Sequence, residues 1–300
     1  MTNRRPRASS SAPDRAAVSF AMAAGGVMIL LINVTMAYRL GSERTLLLAI
    51  EPTDGPGQTV LASDLHIAEV QQLQSIPGDG EVGLRRLGTL PTGGLDLNFG
   101  ARIEVTRSTS VFESLAAVPR LTLRPEAIPY LRPSRYCQSD RLTTFAGSQF
   151  GNCEGGRKIL AIRDWVARQI EYVPGSSDEN TTALDTFVAR QGVCRDYAHL
   201  VCAFARAANI PARCVAVYGP DVQPPDFHAV AEVYLEGGWH IVDATGMSSA
   251  DALAIIVAGR DAADIAFLDA GDGATMKNQK VSVRREEPGL TQTGADKSPA

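Results

Sequence analysis

Five cysteines stand at positions 137, 153, 194, 202 and 214, and one of them has the setting of a nucleophile. Cys194 follows Gln191-Gly192-Val193 and opens an apolar stripe of Tyr197, Leu200, Val201, Phe204 and Ala205. That spacing predicts a helix starting near Cys194. The unpaired N–H groups and the dipole at a helix start favour a thiolate, and the thiolate is the attacking species. Cys202 lies inside the same predicted helix and Cys214 inside a predicted strand, where a buried structural thiol is the default. Cys137 and Cys153 lie in loops with no evident base. The count is odd and no Cys-x-x-Cys pair occurs, so neither a disulfide scaffold nor a standard zinc site is expected. No metal and no cofactor is called for.

A cysteine nucleophile needs a base that holds and passes a proton. His228 opens the predicted strand His228-Ala229-Val230-Ala231-Glu232-Val233-Tyr234, and the end of a strand can face a neighbouring helix terminus. The next strand, Trp239-His240-Ile241-Val242-Asp243, closes on a carboxylate suited to the other imidazole N–H. The remaining histidines fit less well. His199, five residues past Cys194, falls about 140° around the helix and reads as a surface or supporting residue. His240 points to the face opposite Ile241 and Asp243 by strand alternation. His66 has no partner. Arg195 and Asp196 read as polar groups of the helix start, with Asp196 suited to its positive end. For the oxyanion, the backbone N–H of Cys194 is the first choice of donor. The Tyr172 hydroxyl is a second choice, a packing role being the simpler reading of that residue.

Four motifs in chain order resemble the transglutaminase-like core of the papain-like cysteine enzymes. They are Gly192-Val193-Cys194-Arg195-Asp196-Tyr197-Ala198-His199, Ile210-Pro211-Ala212-Arg213, Phe227-His228-Ala229-Val230-Ala231-Glu232-Val233, and Trp239-His240-Ile241-Val242-Asp243-Ala244-Thr245. The resemblance covers roughly residues 140–270. With less specificity, the N-terminal β region and Tyr130–Tyr136 look like those of bacterial members. The resemblance implies an α+β fold, with a nucleophile helix packed on an antiparallel sheet behind a β-rich N-terminal domain. It also implies Cys194 as nucleophile, His228 as base and acid, and Asp243 as the orienting group. The animal transglutaminases carry calcium sites and further β domains that have no counterpart here.

Simple hairpin geometry does not close this triad. With Gly237-Gly238 as a two-residue loop, Asp243 faces Glu232. Glu232 lies four residues from His228, about 13 Å along the strand at about 3.3 Å per residue. Contact between His228 and Asp243 therefore requires another register or a bulge.

Other elements follow from periodicity. Ile159, Ile162, Val166 and Ile170 mark a helix that stops at Val173-Pro174-Gly175. Thr182 and Asp185 form a capping box for a helix through Arg190, closed by Gln191-Gly192. Residues 36–125 read as a β-rich accessory domain, with strands at Leu46–Ile50, Leu95–Phe99 and Ala101–Arg107. Four prolines between Pro119 and Pro133 mark the connection into a catalytic domain at 126–270. Residues 271–300 hold a strand at Lys280–Arg284 and a polar tail.

Residues 1–35 admit two readings. Ala16–Tyr38 carries no charge and is long enough to span a bilayer behind Arg4, Arg5, Arg7 and Arg15. The chain would then be a single-pass membrane protein with its catalytic domain outside the cytoplasm. Alternatively Met36 is the true start, residues 1–35 are upstream sequence, and the protein is cytoplasmic.

The whole chain of 300 residues is 45% hydrophobic and 21% charged, which excludes global disorder and suits about two domains. A net charge of −4 disfavours a nucleic-acid partner. The expected partner is a peptide or protein, attacked at an amide carbonyl through a thioester. Hydrolysis is favoured because water needs no second binding site. Transglutamination and a non-catalytic binding module are the alternatives.

Overall fold

The computed structural model describes residues 26–41, 44–78, 82–90, 93–271 and 273–287. The basic N-terminus and the first part of the apolar segment lie outside them, as does the tail from 288. The rest of that segment is strand β1 (Met28–Arg39). Leu30, Ile32, Val34 and Met36 are buried while Asn33 is exposed, a period-two pattern concealed within an apolar run. This part of the segment is therefore no membrane-crossing helix. Among the described residues, no helix is long and apolar enough to cross a bilayer. The β region begins at Met28, before the boundary expected at 36, and a start at Met36 would remove Met28–Thr35 from β1.

Strands β2 (Thr45–Leu48), β3 (Gln58–Ile67), β4 (Gln72–Pro77), β5 (Leu84–Thr89) and β6 (Gly94–Val105) follow. The two runs expected on either side of Gly100 are one strand, β6, with Gly100 opposite Asn33 and Asp64. A stretch of 3-10 turns then carries the chain to α1 (Thr143–Phe150) and α2 (Gly155–Gln169). Short β7 (Glu171–Tyr172) pairs in parallel with β8 (Gln191–Gly192), and α3 (Ala183–Ala189) lies between them. The core continues with α4 (Cys194–Ala207), β9 (Ala212–Tyr218), β10 (His228–Leu235), β11 (Gly238–Val242) and β12 (Ala254–Gly259). The chain ends in a short α5 (Ala262–Ile265), β13 (Leu268–Asp269) and β14 (Thr275–Arg285).

Three antiparallel sheets organise these elements, in the orders β14-β1-β6-β3, β13-β2-β5-β4 and β11-β10-β9-β12. The fold is α+β, as expected, with α4 packed on β9 and β10 of the third sheet. The other helices enclose α4 through a knot of rings: Phe145, Phe150, Trp165, Phe187 and Phe204. Every residue from Asp196 to Arg206 is buried, so α4 is a central helix rather than a surface one. Thr182 and Asp185 make the expected capping box, but the left-handed residue that ends α3 is Arg190 (φ 60°), not Gly192.

The β-rich region and the core built on α4 and the third sheet share one hydrophobic interior. The Gln58 side-chain amide imitates a strand residue across the junction. Its Nε2 donates to the Ile255 carbonyl at 2.9 Å, and its Oε1 accepts the Ile255 N–H at 2.7 Å. Tyr218 adds a hydroxyl bond to the Ile50 carbonyl at 2.8 Å. β14 is longer than the strand expected at 280–284, and it pairs with β1, so the C-terminal segment completes the N-terminal sheet.

Candidate active site

Cys194 is the first residue of α4 and is half-buried. Asp196 holds the turn before it, accepting the Val193 N–H at 2.8 Å while fully buried. Gly192 admits this arrangement, because a Cβ there would come within 2.7 Å of the Asp196 side chain. The sulfur at the head of a buried helix therefore sits at the positive end of the dipole.

The hairpin carrying the other two groups has a different register from the simple one. Leu235 pairs with Gly238, so the loop is Glu236-Gly237, with Gly237 supplying the positive φ of 88°. Ile241, not Asp243, faces Glu232. The shift of two residues carries Asp243 past the end of β11, toward the start of β10 where His228 lies. Across the neighbouring β9–β10 pairing, Arg213 Nε lies 2.6 Å from Glu232 Oε2 in a buried ion pair, and the guanidinium stacks 4.1 Å from the Trp239 ring of β11.

His228 Nε2 and Asp243 Oδ2 are 3.0 Å apart, with side chains only 1% and 5% exposed. The 13 Å separation of the simple hairpin does not occur. Asp243 is itself held, its Oδ1 accepting from the Thr245 N–H (2.8 Å) and hydroxyl (2.6 Å) and its Oδ2 also from the Ser248 N–H (3.2 Å). With Nε2 committed to Asp243, Nδ1 is left for Cys194, to which His228 is also hydrogen-bonded. Burial opposes a charge on His228, but the bonds to Asp243 and Cys194, and the charges behind them, win and raise its pKa to about 10. Burial likewise opposes the Asp243 carboxylate, yet the His228 and Thr245 contacts hold it below the ordinary value. The three expected residues are thus brought together.

Tyr172 does more than pack. Its hydroxyl lies close enough to Cys194 to interact with both the side chain and the backbone of that residue. Burial and then the Cys194 charge push its pKa up to about 12. Beside these groups opens a cavity of about 570 Å³, lined by Arg163, Glu171, Tyr172, Tyr197, Asp243 and Met247 among others.

His199 is not a surface residue, because the helix around it is covered on all sides. It is fully buried, stacked on Tyr136 at 5.3 Å, and accepts the Ala262 N–H on Nε2 at 3.1 Å. His240 stays away from the triad, bonded to Ser110 at 2.7 Å. His66 is exposed on β3. Cys137, His199 and Cys214 place their ligand atoms within 4.8 Å of one another, and Cys202 Sγ lies 3.5 Å from Cys214 Sγ. These groups make a poor metal cage. The Ala262 N–H occupies the Nε2 lone pair of His199, which leaves the imidazole proton on Nδ1. Neighbouring thiols and burial also push the Cys214 pKa well up.

Residues 152–244 match the family model of the transglutaminase-like superfamily. A crystal structure from Cytophaga hutchinsonii, described as "a Putative Cysteine Protease", is 33% identical, with a TM-score of 0.81 over 89% of this chain and 93% of that one. This chain belongs to the transglutaminase-like superfamily. The curated relative ML0607, an uncharacterized protein of Mycobacterium leprae (strain TN), is 27% identical over 168 residues. That alignment takes in 52% of this chain and 60% of the relative's length.

Proposed function

We propose that this protein is a cysteine-dependent acyl-transfer enzyme acting on amide bonds of peptides or proteins, with water as the acceptor. The observation that carries the reading is the relay in which one imidazole joins a helix-start thiol to a fully held carboxylate. The Cys194 sulfur attacks the amide carbonyl, forming a C–S bond while the carbonyl π pair moves onto oxygen. The Tyr172 hydroxyl, which keeps its proton, donates a hydrogen bond to that oxygen. The tetrahedral species collapses, the C–N bond breaks, and His228 delivers its proton to the leaving amine. A thioester remains. His228, now neutral, takes a proton from water, hydroxide adds to the thioester, and the carboxylic acid departs as the thiolate reforms. Asp243 keeps the imidazole in the tautomer that both transfers need.

The test is incubation with a peptide library and a labelled primary amine, comparing wild type with Cys194→Ala. Cleaved peptides lost in the variant support the reading. Amine conjugates would replace water by an amine as acceptor. Neither product, together with iodoacetamide labelling of Cys194 no faster than free cysteine, would leave a binding module.

A further inference from the structure

The charged groups around the cleft are unequally matched. Arg163 is paired with Asp164 at 2.6 Å, and Arg195 lies 3.6 Å from Asp196 while donating to the Asp178 carbonyl. Arg285 is paired with Asp221 at the base of the loop that leads to His228. These three cations therefore each have an anion, while Arg190, whose carbonyl accepts the Glu171 N–H at 2.9 Å, turns its guanidinium onto the Trp165 and Phe187 rings at 4.7 and 4.5 Å. Two carboxylates have no ion pair among the described residues. Glu171 is exposed at the wall of the cavity beside Asp243. Asp226 is exposed two residues before His228, and its charge reaches Tyr172. Asp226 is also built in rather than loose. Its Oδ1 accepts the Gln279 side-chain N–H at 2.8 Å and the Phe227 N–H at 2.8 Å, and Tyr38 donates to Gln279 Oε1 at 2.8 Å. Phe227 stacks on Phe267 at 4.4 Å. In its thiolate–imidazolium form the triad adds one more negative charge than positive.

We infer that Asp226 and Glu171 are specificity determinants, which select peptide segments carrying a basic side chain next to the scissile amide. This rests on the acyl-transfer reading and names its substrate class. A cation approaching Cys194 meets the negative charge of Glu171 in the cavity wall and of Asp226, whose field acts on Tyr172, whereas an anion is repelled.

Charged thiol reagents test the field without a known substrate. In a Cys153→Ser background, Cys194 is labelled by the (trimethylammonium)ethyl, sulfonatoethyl and methyl methanethiosulfonates. The cationic-to-anionic rate ratio, divided by the same ratio for free cysteine, is expected to be on the order of tenfold at low salt. It should fall toward one in Asp226→Asn/Glu171→Gln and in 1 M NaCl, where screening acts within about 3 Å. Gln279→Ala should lower it part of the way. A ratio at or below that of free cysteine, or one unchanged in the double variant, overturns the inference. The neutral reagent separates the two claims, because its rate reports the activated thiol and the ratio reports only the field.

Discussion

The imidazole of His228 is where opposing effects are decided by magnitude. Burial alone would make it a weaker base, yet two bonded partners carry it to about 10. Removing the carboxylate while keeping the shape therefore has a definite sign. In Asp243→Asn the imidazolium loses its main support, so the high-pH limb of Cys194 alkylation should move down from about pH 10. Hydrolysis should fall about 10²–10⁴-fold in kcat. Tyr172→Phe removes the hydroxyl facing Cys194 and should cost about 10–10³-fold in kcat with little change in KM, read from steady-state rates. Cys194, His228 and Asp243 were legible in the motifs because each needs only its own residue type in its own place. Tyr172 was half legible: a lone aromatic after a helix carries no spacing signal, and its reach to Cys194 depends on the parallel pairing of β7 with β8. The supports of Asp243 lay open in Asp243-Ala244-Thr245, a sequence in which a carboxylate can accept from the backbone two residues on.

Elements were legible where periodicity was strong, as in α4 and β9–β11, and less so where it was masked. The hairpin register could not be read from composition: Glu236-Gly237 and Gly237-Gly238 are both acceptable loops, and the first is the one formed, while Arg213 and Glu232 make a buried ion pair between β9 and β10 of the same sheet. Breaking that pair leaves one charge buried alone, so Glu232→Ala should cost about 3–5 kcal/mol in urea unfolding. At the start of α2, a Cβ on Gly156 would meet the Phe112 carbonyl at 1.8 Å, and Gly155 holds φ 52° against the Leu115 carbonyl. This close approach seats the connecting segment on the helix. Gly156→Ala must push the backbones apart, and a loss of more than about 2 kcal/mol is expected from the same unfolding measurement.

Across the whole molecule, two buried histidines give opposite pH signatures. Burial holds His199 down to about 3, so it enters the fold neutral. Its contribution is present above its unfolded value of about 6.5 and is lost as pH falls from there toward 3. His228, raised to about 10, contributes fully below about 6.5 and loses that contribution as pH rises through 10. Urea midpoints measured from pH 3 to 11 should therefore fall at both ends. His199→Gln should flatten the acid side only, whereas Asp243→Asn should flatten the alkaline side and, because its carboxylate is itself held low, part of the acid side as well. The N-terminal boundary shows where a whole-molecule property defeats local reading. An uncharged run looks alike whether it crosses lipid or lies between two strands, and only the distant partners β6 and β14 distinguish the cases. Deleting residues 1–35 exposes the core by removing Leu30, Ile32 and Val34, about 5–9 kcal/mol of burial against a total stability of about 5–15. The truncated chain should lack cooperative unfolding by circular dichroism.

The pairing of β1 with β14 also sets a clock. β1 is made on the ribosome well before β14, its neighbour on one side. Until β14 has emerged and paired, β1 offers an open hydrogen-bonding edge, the kind of surface on which nascent chains stick to one another. The same late strand brings Gln279 to Asp226. Asp226 thus gains its Gln279 support only once β14 has taken its place beside β1, and a chain that has not reached β14 lacks that part of the cleft.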